Sequence, residues 1–118
     1  MVYKGFEDLE VWQKSKQTAV NTVFAVKFMS DRKLKEQMRD AAFSISANIA
    51  EGYERKSVKD KLRFFGYSKG SASELKSHIQ ISAASGLIDK GKASNIVQDL
   101  TSIGSMLAKL IQYYETLL

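Results

Sequence analysis

The sequence of 118 residues has no cysteine and no proline, and only one histidine and one tryptophan. Lacking cysteine, the chain has no thiolate nucleophile, disulfide or zinc-thiolate site, a composition that suits a reducing compartment and makes the cytoplasm the expected location. Lacking proline, its helices lose the commonest cause of a sharp kink. With His78 as the sole histidine, a multi-histidine metal site within one chain is excluded. No stretch approaches the roughly 20 consecutive apolar residues of a transmembrane helix, so none is expected. The opening MVYKGFEDLEVWQK mixes charge with apolar residues too early for a signal peptide. Neither G-x-x-x-x-G-K-[ST] nor G-x-G-x-x-G occurs, which removes the common glycine-rich phosphate cradles. No metal, cofactor, small-molecule substrate or membrane partner is therefore expected.

The composition that remains, 44% hydrophobic and 26% charged, describes one soluble globular domain over residues 1–118. A chain of this size buries about two-thirds of its unfolded surface and needs no covalent staple. Apolar residues recur at helical spacing in four long segments, and none shows strand-like alternation, so the fold class is all-α. The first helix is expected from about Asp8 to Met29, with Leu9, Trp12, Ala19, Val20, Val23 and Phe24 as its core stripe, interrupted by Lys16 and Lys27. The second starts at an Asp31 N-cap, buries Leu34, Met38, Ala41, Ala42, Ile45, Ile49 and Gly52, and ends near Gly52 and Tyr53, where glycine suits a C-terminal cap. Ser57-Val58-Lys59-Asp60 resembles a capping box that opens the third helix, which buries Leu62, Phe65, Ala72, Leu75, Ile79 and Ala83 and stops at Gly86. The fourth begins near Asp89 and aligns Ile96, Leu100, Ile103, Leu107, Leu110, Ile111 and Tyr114. Short connections make consecutive helices antiparallel neighbours in an up-down-up-down four-helix bundle.

The opposite sides of the helices differ. The fourth presents Ser94, Gln98, Thr101, Ser102, Ser105, Lys109, Gln112 and Thr116, an ordinary wet face. The second presents Arg39, Phe43, Ser46, Ala47 and Ala50, a large aromatic among small residues, and a helix apolar on two sides is usually covered on both. A subunit contact at Phe43, Ala47 and Ala50 is expected; the bland alternative is one stray exposed aromatic. The third turns Lys59, Arg63, Gly66, Gly70, Glu74, Ser77 and Ile81 outward. Gly66 and Gly70 each cost up to about 1 kcal/mol against alanine, so the close approach of another backbone, from a neighbouring subunit or a phosphate chain, is expected there. Asn48, with Gln37, Ser44 and Glu51 nearby, is expected to form a structural hydrogen-bond cluster tying the second helix to the loop before Ser57.

Net charge is +5. The excess is local, since Arg55, Lys56, Lys59, Lys61, Arg63 and Lys69 stand against Asp60 alone between positions 55 and 69. Such a segment suits a polyanion, although a solvated helix face has the same composition. Glu74, His78 and Ser82 follow at i, i+4 and i+8, but three residues along one straight helix cannot wrap a base between its orienter and a nucleophile, and no enzyme is expected.

Gln37-Met38-Arg39-Asp40-Ala41-Ala42-Phe43-Ser44-Ile45-Ser46-Ala47-Asn48-Ile49-Ala50-Glu51-Gly52, followed by Arg55, Phe65, Gly70-Ser71 and Glu74-Leu75, resembles the bacterial four-helix-bundle family encoded in intervening sequences of 23S ribosomal RNA genes. The opening Phe6-Glu7-Asp8-Leu9-Glu10-Val11-Trp12 is similar to the start of that family. Many members of that family carry proline where this chain has Ser46, so a straighter second helix is expected here. The resemblance implies a homopentamer of four-helix subunits, with Gln37, Asn48, Glu51, Gly52, Gly70, Ser71 and Glu74 as its structural motif. A related branch, the accessory protein of diversity-generating retroelements, is a basic pentamer that works with nucleic acid. By that analogy Arg39, Arg55, Lys59 and Arg63 are candidate phosphate contacts, to which the local charge adds Lys56 and Lys61. The resulting expectation is a non-enzymatic homo-oligomer that binds RNA or another nucleic acid, with an interface that includes Phe43, Ala47, Ala50, Gly66 and Gly70. The alternative is an oligomeric protein-interaction scaffold.

Overall fold

The structure, a computed structural model, describes residues 5–118. A short 3-10 turn, Phe6–Asp8, leads into four α-helices among the described residues: α1 (Glu10–Ala25), α2 (Arg32–Glu54), α3 (Val58–Ala84) and α4 (Lys90–Glu115). Their ends follow local chemistry. Asp31 accepts from the Leu34 amide at 3.0 Å, Ser57 from Asp60 at 3.1 Å and Asp89 from Lys92 at 2.9 Å, so each side chain satisfies an amide that the helix start leaves unpaired. Gly86 (φ 75°) closes α3, with the Leu87 amide donating back to the Ser82 carbonyl at 2.8 Å.

The helices pack as neighbours in a bundle whose described residues extend 45 Å along its long axis, α2 and α3 most extensively, with α1 against α2 and α4, and α3 against α4. On α3 the buried positions are Phe65, Ser68, Ala72, Leu75, Ile79 and Ser82, alternating steps of three and four. On α4 they are Ala93, Ile96, Leu100, Ile103 and Leu107, with the same rhythm. Serine enters the seam because its hydroxyl finds a partner: Ser68 donates to the Ile45 carbonyl of α2 at 2.7 Å and Ser82 contacts the Met38 sulfur at 3.7 Å. Leu62 and Ala83, expected in the core, are half-buried at its edge.

Two expectations are corrected. First, α1 is shorter than expected and turned about its axis. It buries Val11, Ser15, Thr18, Ala19 and Thr22, while Val20 and Phe24, expected inside, are 40% and 61% exposed. Leu9, Trp12 and Val23 are half-buried. The hydroxyls can go inward because Ser15 donates to the Val11 carbonyl at 2.7 Å and Thr22 to the Thr18 carbonyl at 2.8 Å. Lys16 and Lys27, which interrupt the apolar stripe, are both exposed, as that orientation requires.

Second, Gly52 is not the cap of α2. The helix runs through it to Glu54, and Arg55 takes the cap position in an extended conformation. Gly52 is buried because α3 crosses there: a Cβ would lie 2.7 Å from Cε1 of Phe65 and 3.1 Å from Cβ of Phe64. Glycine is therefore needed for close helix approach and not for a left-handed turn.

Candidate nucleic-acid interface

The basic residues gather where α2 ends and α3 begins. Only three residues, 55–57, separate the two helices, so side chains from the last turn of α2 and the first turns of α3 share one corner of the bundle. The six candidate phosphate contacts do not share one condition. The Lys61 ammonium donates to the Tyr53 carbonyl at 2.7 Å, with the Gly52 carbonyl at 3.5 Å, and lies 5.6 and 5.8 Å from the rings of Tyr53 and Tyr114. It thus serves the Tyr53 carbonyl at the end of α2, beside the Gly52 carbonyl that already accepts from the Arg55 amide at 3.3 Å. Burial lowers its pKa from the ordinary 10.5, against a smaller opposing pull from Glu54.

Arg55 pairs with Glu51 at 2.6 Å, and Arg63 with Asp60 at 3.3 Å. Both guanidinium groups also lie over the ring of Phe64, at 4.6 and 5.0 Å from its centroid. Lys56 and Lys59 are exposed and form no ion pair among the described residues. Arg39 is exposed farther back along α2, nearly four turns before Gly52, and does not belong to this corner. Corner cations are thus divided between one that caps a helix, two held by carboxylates and an aromatic ring, and two that face solvent.

Phe64 and Tyr67 were not singled out in the sequence reading. Their rings meet at right angles with centroids 5.7 Å apart, and Tyr67 is 52% exposed. The available signal was an aromatic pair at i and i+3 beside Arg63 in the one strongly basic segment.

The polar motif residues have structural partners. The Asn48 amide donates to the carbonyl and the hydroxyl of Ser44, both at 2.9 Å, and the Ser44 hydroxyl bonds that of Ser71 at 2.9 Å. This cluster ties α2 to α3 and not to the loop before Ser57. Gln37 and Glu74 are exposed, and Glu51 serves Arg55. Ser82 is buried on Met38 while Glu74 faces solvent, so the Glu74–His78–Ser82 row does not converge on one site.

The expected interface residues Phe43 and Ala47 are exposed and Ala50 is half-buried. Phe43 joins Trp12, Lys16, Ala19, Val20, Val23, Phe24 and Ser46 around an open groove of about 320 Å³ between α1 and α2. Gly66 and Gly70 are exposed, and a Cβ on either would meet nothing within 4 Å. Among the described residues, no group of three or more His, Cys, Asp or Glu is placed to hold a metal ion, and no helix is long and apolar enough to cross a membrane.

A crystal structure of a protein of unknown function from the S23 ribosomal protein family of Bacteroides thetaiotaomicron is similar to this chain, with a TM-score of 0.79 and 26% identity over 86% of this chain and 97% of that one. No curated protein matches the chain. Residues 7–109 match the family described as 23S rRNA-intervening sequence protein, a span that contains the basic corner, the Asn48 cluster and the groove. The chain belongs to the 23S rRNA-intervening sequence protein family.

Proposed function

We propose that this chain works as a homo-oligomer, a pentamer in the arrangement its family resemblance implies, that binds RNA through the basic corner repeated around the assembly. In this reading the chain is non-enzymatic, its family being named for the 23S rRNA intervening sequence and not for a reaction. The orientation of α1 carries the assembly. A lone bundle would gain from burying Val20, Val23 and Phe24, yet α1 turns hydroxyls inward and leaves that side to a groove continued by Phe43. A second copy of the chain is the occupant that suits a permanent apolar face of this kind.

The basic corner supports the polyanion partner. Lys56 and Lys59 have no partner charge to give up, so they can meet phosphate without breaking a pair. One such corner binds weakly, and repetition multiplies it. Five copies lending two cations each would meet about ten phosphates, and the affinity would then fall about 10³- to 10⁵-fold between 50 and 200 mM salt. The test is a gel shift with structured RNA at two salt concentrations, comparing the natural chain with K56A/K59A. Salt-sensitive binding that the double substitution weakens supports the reading. Binding that neither salt nor the substitution changes removes these lysines from it.

The partnered state of Arg55, Lys61 and Arg63 favours the second reading, a protein-interaction scaffold without nucleic-acid contact. A defined oligomer that binds no RNA at low salt would establish that alternative. The resemblance to the accessory protein of diversity-generating retroelements, a branch that works with a reverse transcriptase and nucleic acid, favours the nucleic-acid reading.

A further inference from the structure

Attraction to phosphate says nothing about where the bases go. We infer that Tyr67 is a stacking platform for an unpaired nucleotide, so that the basic corner takes single-stranded RNA in preference to duplex. This inference rests on the RNA-binding reading above and narrows it.

Tyr67 is an aromatic side chain from which the fold takes little, being half exposed on the flank of α3 and outside its buried seam. Its ring is nevertheless held, at right angles to Phe64 with centroids 5.7 Å apart. Phe64 is in turn covered by the guanidinium groups of Arg55 and Arg63. The exposed Tyr67 ring therefore stands beside a ring that carries two guanidinium groups, an aromatic face next to fixed positive charge, and unpaired bases stack on such a face.

The order of residues along α3 matches the parts of a nucleotide. At 100° per residue, Lys59, Arg63, Gly66, Tyr67 and Gly70 fall within roughly a 100° arc and extend over about 16 Å of helix. Cations occupy the end toward the corner, and the ring and the bare backbone occupy the other. Gly66 and Gly70 weaken the helix relative to alanine, and nothing within this chain requires them, since a Cβ on either would meet nothing within 4 Å. Without side chains on either side, a flat base and its ribose can come down beside the Tyr67 ring. In a duplex the base faces are already stacked on one another and the platform has nothing to receive.

The test measures the affinity of the full chain for an unstructured RNA of about twelve nucleotides and for a duplex of the same length, with the mass of each variant recorded by light scattering. The variants are Y67A, Y67L, Y67F and K56A/K59A. The inference expects tighter binding of the single strand than of the duplex at equal salt. It expects a loss of about tenfold for single strand in Y67A and Y67L, within the range of one base–aromatic stack, and near-full affinity in Y67F. The lysine pair should weaken both ligands and lower the salt dependence, which Y67A should not change. If K56A/K59A weakens binding while Y67A does not, or if duplex is bound as tightly as single strand, the platform is overturned and the RNA reading stands. If Y67A changes the mass, Tyr67 is an assembly contact and the platform is overturned. If the natural chain binds neither ligand at low salt, both readings fail together.

Discussion

Replacing Gly52 with alanine tests the packing that sets the basic corner, because this glycine fixes how closely α2 and α3 cross. The new Cβ would sit 2.7 and 2.9 Å from two ring carbons of Phe65 and 3.1 Å from Cβ of Phe64. Phe65 cannot easily retreat, since it is fully buried and packs on Tyr114 at 5.6 Å. Overpacking of this kind costs about 1–3 kcal/mol. Removing a helical glycine returns up to about 1 kcal/mol. The net expectation is a loss of about 1–2 kcal/mol, or a melting temperature lower by about 3–10 °C for a chain of this size. G66A and G70A provide the internal control: their Cβ atoms meet nothing, so within the chain each should gain up to about 1 kcal/mol. The assay is thermal unfolding followed by circular dichroism at matched protein concentration, because assembly itself raises apparent stability. A G52A protein as stable as the natural chain would refute the close-crossing argument.

Two further substitutions probe the core and the helix end. Thr18 is 1% exposed and its hydroxyl has no hydrogen-bond partner among the described residues, so T18V should raise stability by about 1 kcal/mol in chemical unfolding. K61M should cost about 1 kcal/mol by leaving the Tyr53 carbonyl without its donor. The same variant should alter the alkaline limb of the stability profile. With its pKa lowered by burial, folded Lys61 releases its proton before the unfolded chain does, so stability rises as pH climbs toward 10.5. Tyr114 has its pKa raised by burial and then by Tyr113 and Tyr53, so it holds its proton longer when folded and stability falls above pH 10.0. Unfolding titrations should show both effects in the natural chain and only the fall in K61M.

The helices were legible wherever a strong periodic signal met a capping side chain. Asp31 and Ser57 cap as their positions promised, α4 begins at Asp89 as expected, and of its stripe Ile96, Leu100, Ile103 and Leu107 are buried while Leu110, Ile111 and Tyr114 are half-buried. The face of α1 was not legible from hydrophobicity, because the inward positions Ser15, Thr18 and Thr22 look polar in sequence. At Ser15 and Thr22 the hydroxyl bonds the carbonyl four residues back and so enters the core at little cost, whereas Thr18 enters it without a partner. Lys16 and Lys27 were the usable clue, since lysines that interrupt an apolar stripe argue that it lies at the surface. Gly52 was misread because a glycine near a helix end has two physical uses, a left-handed cap or a close crossing, and only the position of Phe65 decides between them. At the basic corner the clustering of charge was plain from composition. Which cations are already engaged depends on contacts across the α2–α3 turn, such as Lys61 reaching back to Tyr53, that spacing does not specify.

The most direct measurement for the central claim is the molar mass of the purified chain in solution, by light scattering at working concentration, beside a variant carrying F43D. Phe43 is 50% exposed at the rim of the groove and should be covered in the assembly, so a charge there should separate the copies. The account predicts a mass several times 13.2 kDa for the natural chain and a marked drop for F43D. A natural chain that stays at 13.2 kDa would contradict it, because the outward apolar side of α1 would then be facing water.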